Sequence, residues 1–167
     1  MKKIILAAVA CLLAPALQAA ALVLEDSQVQ PVAYARLAPV PKTIVKLNST
    51  LQAIKPGPQT AMMAGALGLM LGDPGFTSFD PDANVAFYAF DNFTEDNPPD
   101  FLAVLKIAPN SPAEKAISKM GDLNISRHKG WTVLSSKKNL LKKIGSLDPL
   151  LKHANQKRGA DLEIGAF

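Results

Sequence analysis

Asp80, Asp82 and Asn84 stand at alternate positions, and Asp91 follows where a twelfth ligand would stand. Oxygen donors at positions one, three, five and twelve are the pattern of a calcium loop. Two departures weaken it. Val85 occupies the sixth position, where the sharp turn requires glycine, and Asp91 replaces the bidentate glutamate. These four residues are therefore a weak metal candidate, and the competing reading is a strand-entry turn capped by Asp and Pro. Next in line, the loop Asp91–Asp100 gathers Asp91, Glu95 and Asp96. Carboxylates in pairs can divide acid and base roles when a cleft holds them and separates their pKa values. On that chemistry the chain would be an exported hydrolase acting on extracellular glycan or protein. No aspartic-protease signature accompanies these residues, and nothing local encloses them.

The remaining reactive side chains are sparse. His128 and His153 are the two histidines, and neither has a His, Cys or acidic neighbour at metal-ligand spacing. No serine lies in a Gly-x-Ser-x-Gly elbow. Gly65, Gly68 and Gly72 fall in an apolar run and do not form a phosphate-binding loop. No cofactor motif is present, and the sequence points to no catalytic residue.

A basic cluster is the strongest interaction feature. Lys137, Lys138, Lys142 and Lys143 are followed by Lys152, Lys157 and Arg158. Leu140, Leu141 and Ile144 would form the opposite stripe of a helix, so the lysines face outward. Charge is divided along the chain: 22–105 carry 4 basic and 9 acidic residues, 106–167 carry 12 and 5. Such a basic half attracts an anionic glycan, a lipid head group or an acidic envelope protein. Nucleic acid is not expected, because no aromatic residues interleave the cluster and the chain carries an export signal.

That signal is residues 1–21. Lys2 and Lys3 precede an apolar stretch from Ile4 to Leu17, and Ala19, Ala20 and Ala21 offer small residues for cleavage. Basic start, apolar middle and small exit make a secretory signal peptide. The apolar stretch holds about 14 residues, where a membrane span needs roughly 20. No transmembrane span is expected after cleavage, and the expected address is the periplasm or the medium. The alternative is lipidation of Cys11, which would tether the chain to a membrane. If cleavage falls near Ala21, the only cysteine leaves with the signal. Disulfides and thiol chemistry are then excluded, and about 147 residues remain, enough for one core.

Elements follow from periodicity. Residues 22–31 read as a mobile leader, 32–158 as a single domain, and 159–167 as a terminal strand or the start of a further unit. VAYARL (Val32–Leu37) is strand-like. Val40, Ile44, Leu47, Leu51 and Ile54 recur at helical spacing until Pro56-Gly57-Pro58. Gln59–Leu71 is apolar nearly all round and reads as a buried helix. NVAFYAF (Asn84–Phe90) is apolar on both faces, as in a central strand, and FLAVLKIA (Phe101–Ala108) is its neighbour. Ser111-Pro112-Ala113-Glu114 is a capping box. Residues 123–127 and 131–135 form a hairpin about Lys129-Gly130, and two helices cover 137–144 and 149–156.

The order gives an α+β fold: one mixed or antiparallel sheet with helices mainly on one face. Its centre is compatible with a ferredoxin-like split βαβ core. The segments GDPGF (Gly72–Phe76), Asp80-Pro81-Asp82 before NVAFYAF, and HKGW (His128–Trp131) before TVLSS resemble an uncharacterised class of exported bacterial proteins. The resemblance covers roughly residues 31–140 and implies no catalytic residues. The expected function is a non-catalytic binding or scaffolding domain of the bacterial envelope or secretome.

Overall fold

The computed structural model describes residues 22–54, 57, 65–91, 99–121, 123–156 and 161–167. Residues 1–21, read above as an export signal, lie outside them, as do Gln59–Ala64, Glu95, Asp96, Lys157 and Arg158. The β-branched and aromatic runs form β1 (Pro31–Leu37), β2 (Val85–Phe90), β3 (Phe101–Leu105), β4 (Asn124–His128), β5 (Trp131–Ser135) and β6 (Leu162–Ala166). The helices are α1 (Val40–Ile54), α2 (residues 65–70), α3 (Pro112–Ser118), α4 (Leu140–Ile144) and α5 (Asp148–Asn155). The protein is α+β. Its six strands make one antiparallel sheet in the order β4-β5-β3-β2-β1-β6.

Several local expectations are met. β2 lies centrally between β1 and β3. The β4–β5 hairpin turns on Lys129 (φ 48°) and Gly130 (φ 80°), both left-handed as a type I′ turn requires. Ser111 Oγ accepts the Glu114 backbone N–H at 3.3 Å. Glu114 reaches back one residue further than a standard capping box, to the Asn110 N–H at 2.6 Å.

Four expectations are corrected. The first strand–helix–strand step is not split, because β1 pairs directly and antiparallel with β2; the split βαβ arrangement lies in the second step, where β3 and β4 run parallel on either side of β5. The helices occupy both faces. Strand alternation gives β1 and β2 two apolar sides, and each needs a cover. Tyr34, Ala86, Tyr88, Phe90, Leu102, Val104, Trp131 and Val133 pack with Leu140, Ile144, Leu150 and Leu151 of α4 and α5. Val85, Ala103, Leu105 and Leu134 pack on the other side with Val40 and Ile44 of α1, Phe76, Phe79 and Ile117 of α3.

The third correction concerns the leader. Leu24 and Val29 are buried in the α4–α5 side of the core, and the Gln28 N–H donates to the Lys143 carbonyl at 2.8 Å. Two apolar side chains buried there contribute about 1.5–3 kcal/mol each, enough to hold a segment read as mobile. The fourth concerns α2. Leu67, Leu69 and Met70 are exposed, so this is not a buried helix. Only Gly68 meets the body of the protein closely: a Cβ there would stand 2.8 Å from Pro74 Cα. The terminal strand is a full member of the sheet, since all five residues of β6 pair with β1.

Candidate functional site

Strand alternation sends Tyr34 and Arg36 to the same side of β1 as Tyr88 of β2 and Glu163 of β6. They meet α5 there. Arg36 and Glu163 are direct cross-strand partners and form an ion pair. The Arg36 side chain is 4% exposed and that of Glu163 16%. Arg36 also donates to the carbonyls of His153 (2.7 Å) and Gln156 (3.2 Å). Those carbonyls belong to the end of α5, where a helix lacks internal donors and a cation is favoured. Tyr34 Oη donates to Glu163 at 2.6 Å. The guanidinium thus ties the last turn of α5 to the sheet.

Tyr88 and His153 extend this network. Tyr88 Oη lies 2.8 Å from the Leu150 carbonyl and 3.0 Å from His153 Nδ1. A phenol has one hydrogen and the carbonyl has none. Both contacts are satisfied when Tyr88 donates to Leu150 and His153 Nδ1–H donates to Tyr88. Burial pushes the Tyr88 phenol well above its ordinary range, with Arg36 opposing the rise. The His153 ring packs edge-on against Tyr34 at 4.7 Å between centroids, and Phe167 covers Tyr34 at 4.8 Å. A buried phenol bonded to the α5 backbone, and a histidine packed against aromatic rings, hold this helix in place. The cluster positions α5.

The basic residues sit on the outer side of the layer that this cluster anchors. Leu140 and Ile144 turn α4 inward, leaving Lys142 and Lys143 exposed. Leu150, Leu151, His153 and Ala154 do the same for α5 and leave Lys152 exposed. Lys138 is exposed just before α4. Lys137 is different: its ammonium pairs at 2.9 Å with Asp100, whose side chain is 4% exposed. Lys138, Lys142, Lys143 and Lys152 form no ion pair with a carboxylate among the described residues. Lys157 and Arg158 fall outside those residues.

The proposed calcium donors are not brought together. Asp80 accepts the Asp82 N–H at 2.9 Å and pairs with Lys106 at 3.6 Å. Asp82 pairs with Lys42 at 3.0 Å. The Asn84 amide donates to the carbonyls of Ala154 and Gln156, each at 3.2 Å. Asp91 accepts the Gln30 N–H at 3.0 Å. Each serves a separate local contact, because a strand entry separates the turn from Asp91. Among the described residues no three His, Cys, Asp or Glu converge on a metal position. No family model, curated protein or solved structure matches the chain.

A shallow depression of about 410 Å³ lies between α2 and α3, floored by Leu69, Met70 and Met120 with Lys115 and Lys119 beside them. No carboxylate among the described residues lines it. On the hairpin side, Asp148 holds Lys129 at 2.5 Å and His128 at 3.2 Å. The Lys129 and His128 hydrogen bonds hold its carboxyl below the usual range.

Sequence reasoning missed Arg36, Glu163, Tyr34 and Tyr88. A signal existed for one half: Tyr34 and Arg36 are two apart in a strand, so both point inward beside small alanines. Nothing local named Glu163, 127 residues away, as the counter-charge.

Proposed function

We propose that the chain is an exported bacterial protein whose domain is a non-catalytic binding or scaffolding module of the envelope or secretome. Its binding surface is the outer side of α4 and α5, and its partner is anionic: a glycan, a lipid head group or an acidic envelope protein. The observation that carries this reading is the set Lys138, Lys142, Lys143 and Lys152, exposed on one helical layer without carboxylate partners among the described residues. Lys137 is spent largely on Asp100 and contributes less. Lys157 and Arg158 join the set by sequence. Four like charges on a surface fixed by the Arg36 anchor create a local field that attracts anions, and salt weakens it.

Export rests on residues 1–21, and membership of an uncharacterised class of exported bacterial proteins rests on the segments between 31 and 140. Processing near Ala21 releases the domain, whereas lipidation of Cys11 would keep it at a membrane. Intact-mass measurement of secreted material distinguishes the two, and a product that retains Met1 overturns export. No helix among the described residues is long and apolar enough to cross a membrane. The hydrolase alternative gains no support, because Asp91 and Asp100 are engaged separately with Gln30 and Lys137.

The binding test uses vesicles with and without anionic lipid, and a sulfated polysaccharide resin. Retention at low salt that falls with added salt is expected on at least one anionic probe. A lysine near an anionic surface contributes about 1 kcal/mol, so the double variant Lys142→Gln/Lys143→Gln should bind about 30-fold more weakly. Equal retention on neutral and anionic probes, or an unchanged double variant, overturns the reading.

A further inference from the structure

The free edge of β6 is a self-complementary docking strand, and we propose that it pairs with β6 of a second copy of this chain. The backbone sets the geometry. Phe167 N–H donates to the Val32 carbonyl at 3.1 Å, and Ala38 N–H donates to the Asp161 carbonyl at 2.8 Å. With Ala33 opposite Ala166 and Leu37 opposite Leu162, antiparallel alternation directs the backbone of Glu163, Gly165 and Phe167 toward β1. The N–H and C=O groups of Leu162, Ile164 and Ala166 therefore point the other way. β6 is the outermost strand, and no described strand pairs with that side.

One register satisfies all of these groups. An antiparallel pair centred on Ile164 puts Ile164 opposite Ile164 of the second copy, and Leu162 opposite Ala166. Each of these is a hydrogen-bonded pair, so six backbone hydrogen bonds form across the two-fold axis. Side chains agree with this register. Leu162 and Ile164, 51% and 39% exposed, lie on one side of the sheet and meet apolar partners there. On the other side Glu163 meets Gly165 of the second copy, so no like charges face each other. The charge of Glu163 is already balanced by Arg36, which removes the usual deterrent to edge pairing. β4, the opposite edge, differs: it carries Arg127 and His128, which are engaged with Glu114 and Asp148.

The pairing itself goes beyond the binding reading and does not depend on it, whereas its consequence for binding rests on that reading. A two-fold axis at Ile164 stands perpendicular to the sheet, so both copies present α4 and α5 on the same side. Two basic surfaces then face one partner, and binding to a repeating polyanion gains from the second contact.

The test is sedimentation equilibrium of the purified chain, with hydrogen exchange read residue by residue. The wild type is expected to reach twice its monomer mass as concentration rises, with the amides of Leu162, Ile164 and Ala166 protected. Ile164→Lys places two cations on the axis. It should be monomeric and lose protection at those three amides, while Glu163, Gly165 and Phe167 stay protected by β1. Mixing Ile164→Lys with Ile164→Glu should restore a dimer. A wild-type chain that is monomeric at every soluble concentration overturns the proposal, as does a dimer that survives Ile164→Lys. If Ile164→Lys alone unfolds, the protection pattern of the wild-type dimer decides: fast exchange at Ile164 overturns the pairing.

Discussion

The two faces of the sheet are built from the same strands and end in opposite conditions. On the α4–α5 face, Tyr88, Phe90, Leu102, Val104 and Val133 are at most 1% exposed. The one charge pair in their midst, Arg36 with Glu163, is bonded on several sides. On the other face, Phe76, Phe79 and the first turns of α1 cover one end of the strands. Phe87, Phe101, Leu162 and Ile164 remain 39–51% exposed at the other positions. The first face is a support that holds a basic helical layer. The second retains apolar surface and a free edge. Position in the sheet, not residue type, separates a phenylalanine that holds the fold from one that is available to a partner.

The largest break in this comparison comes from one substitution made on each face of β2. Phe90→Ala should cost about 3–5 kcal/mol by denaturant unfolding. Phe87→Ala, three residues away and 41% exposed, should cost about 1 kcal/mol, because part of its surface is already in water. Equal costs would show that the second face is covered. Removing one partner of the buried pair is nearly as severe. Arg36→Met should cost about 3–5 kcal/mol, since Glu163 loses its counter-charge and the carbonyls of His153 and Gln156 lose the guanidinium donor. Hydrogen exchange in α5 should accelerate more than in α1.

Gly165→Ala gives a smaller loss. A Cβ would stand 2.6 Å from the Tyr34 ring, which Glu163, His153 and Phe167 hold in place. Overpacking of this kind costs about 1–3 kcal/mol, measured by the unfolding midpoint. Thr132→Val should act in the opposite direction. Thr132 is fully buried and its hydroxyl has no hydrogen-bond partner among the described residues. Replacing it with a methyl of the same shape should stabilise by about 1 kcal/mol.

The smallest expected effect depends on pH. Burial raises the Asp73 carboxyl, but hydrogen bonds from Ser78 and Thr77 outweigh it and leave the group below 3.8. A lowered native pKa adds stability above the unfolded value, and that stability disappears as pH falls through the native one. Asp73→Asn should therefore destabilise at neutral pH, and its deficit relative to wild type should shrink below about pH 4. A pH-independent deficit would show that the Asp73 contacts do not depend on its charge.

Much of the local structure was legible because it depends on neighbours within four residues. The α1 stripe, the Ser111 cap, the Lys129-Gly130 turn and the central place of β2 all follow from spacing alone. The α1 stripe also shows the limit. Its spacing continues to Ile54, but only Val40 and Ile44 find the core, while Leu47 and Ile54 are exposed. Periodicity states which side of a helix is apolar and not how far along a core exists to receive it. The lysines were likewise legible as outward-facing. Lys137 was read with the others, and only the fold revealed Asp100 beneath it.

By itself the sequence determined the strands, most of the helices and the polar side of α4. Each is a matter of residue type and short-range spacing. The tertiary structure alone decided that residues 22–31 join the core, that helices cover both faces, and that Arg36 meets Glu163 across 127 positions. It alone left Leu162, Ile164 and Ala166 with backbone groups directed away from β1. The physical reason is that strand neighbours are chosen by which apolar surfaces can be buried together. That choice is made over the whole chain at once, and no local window contains it.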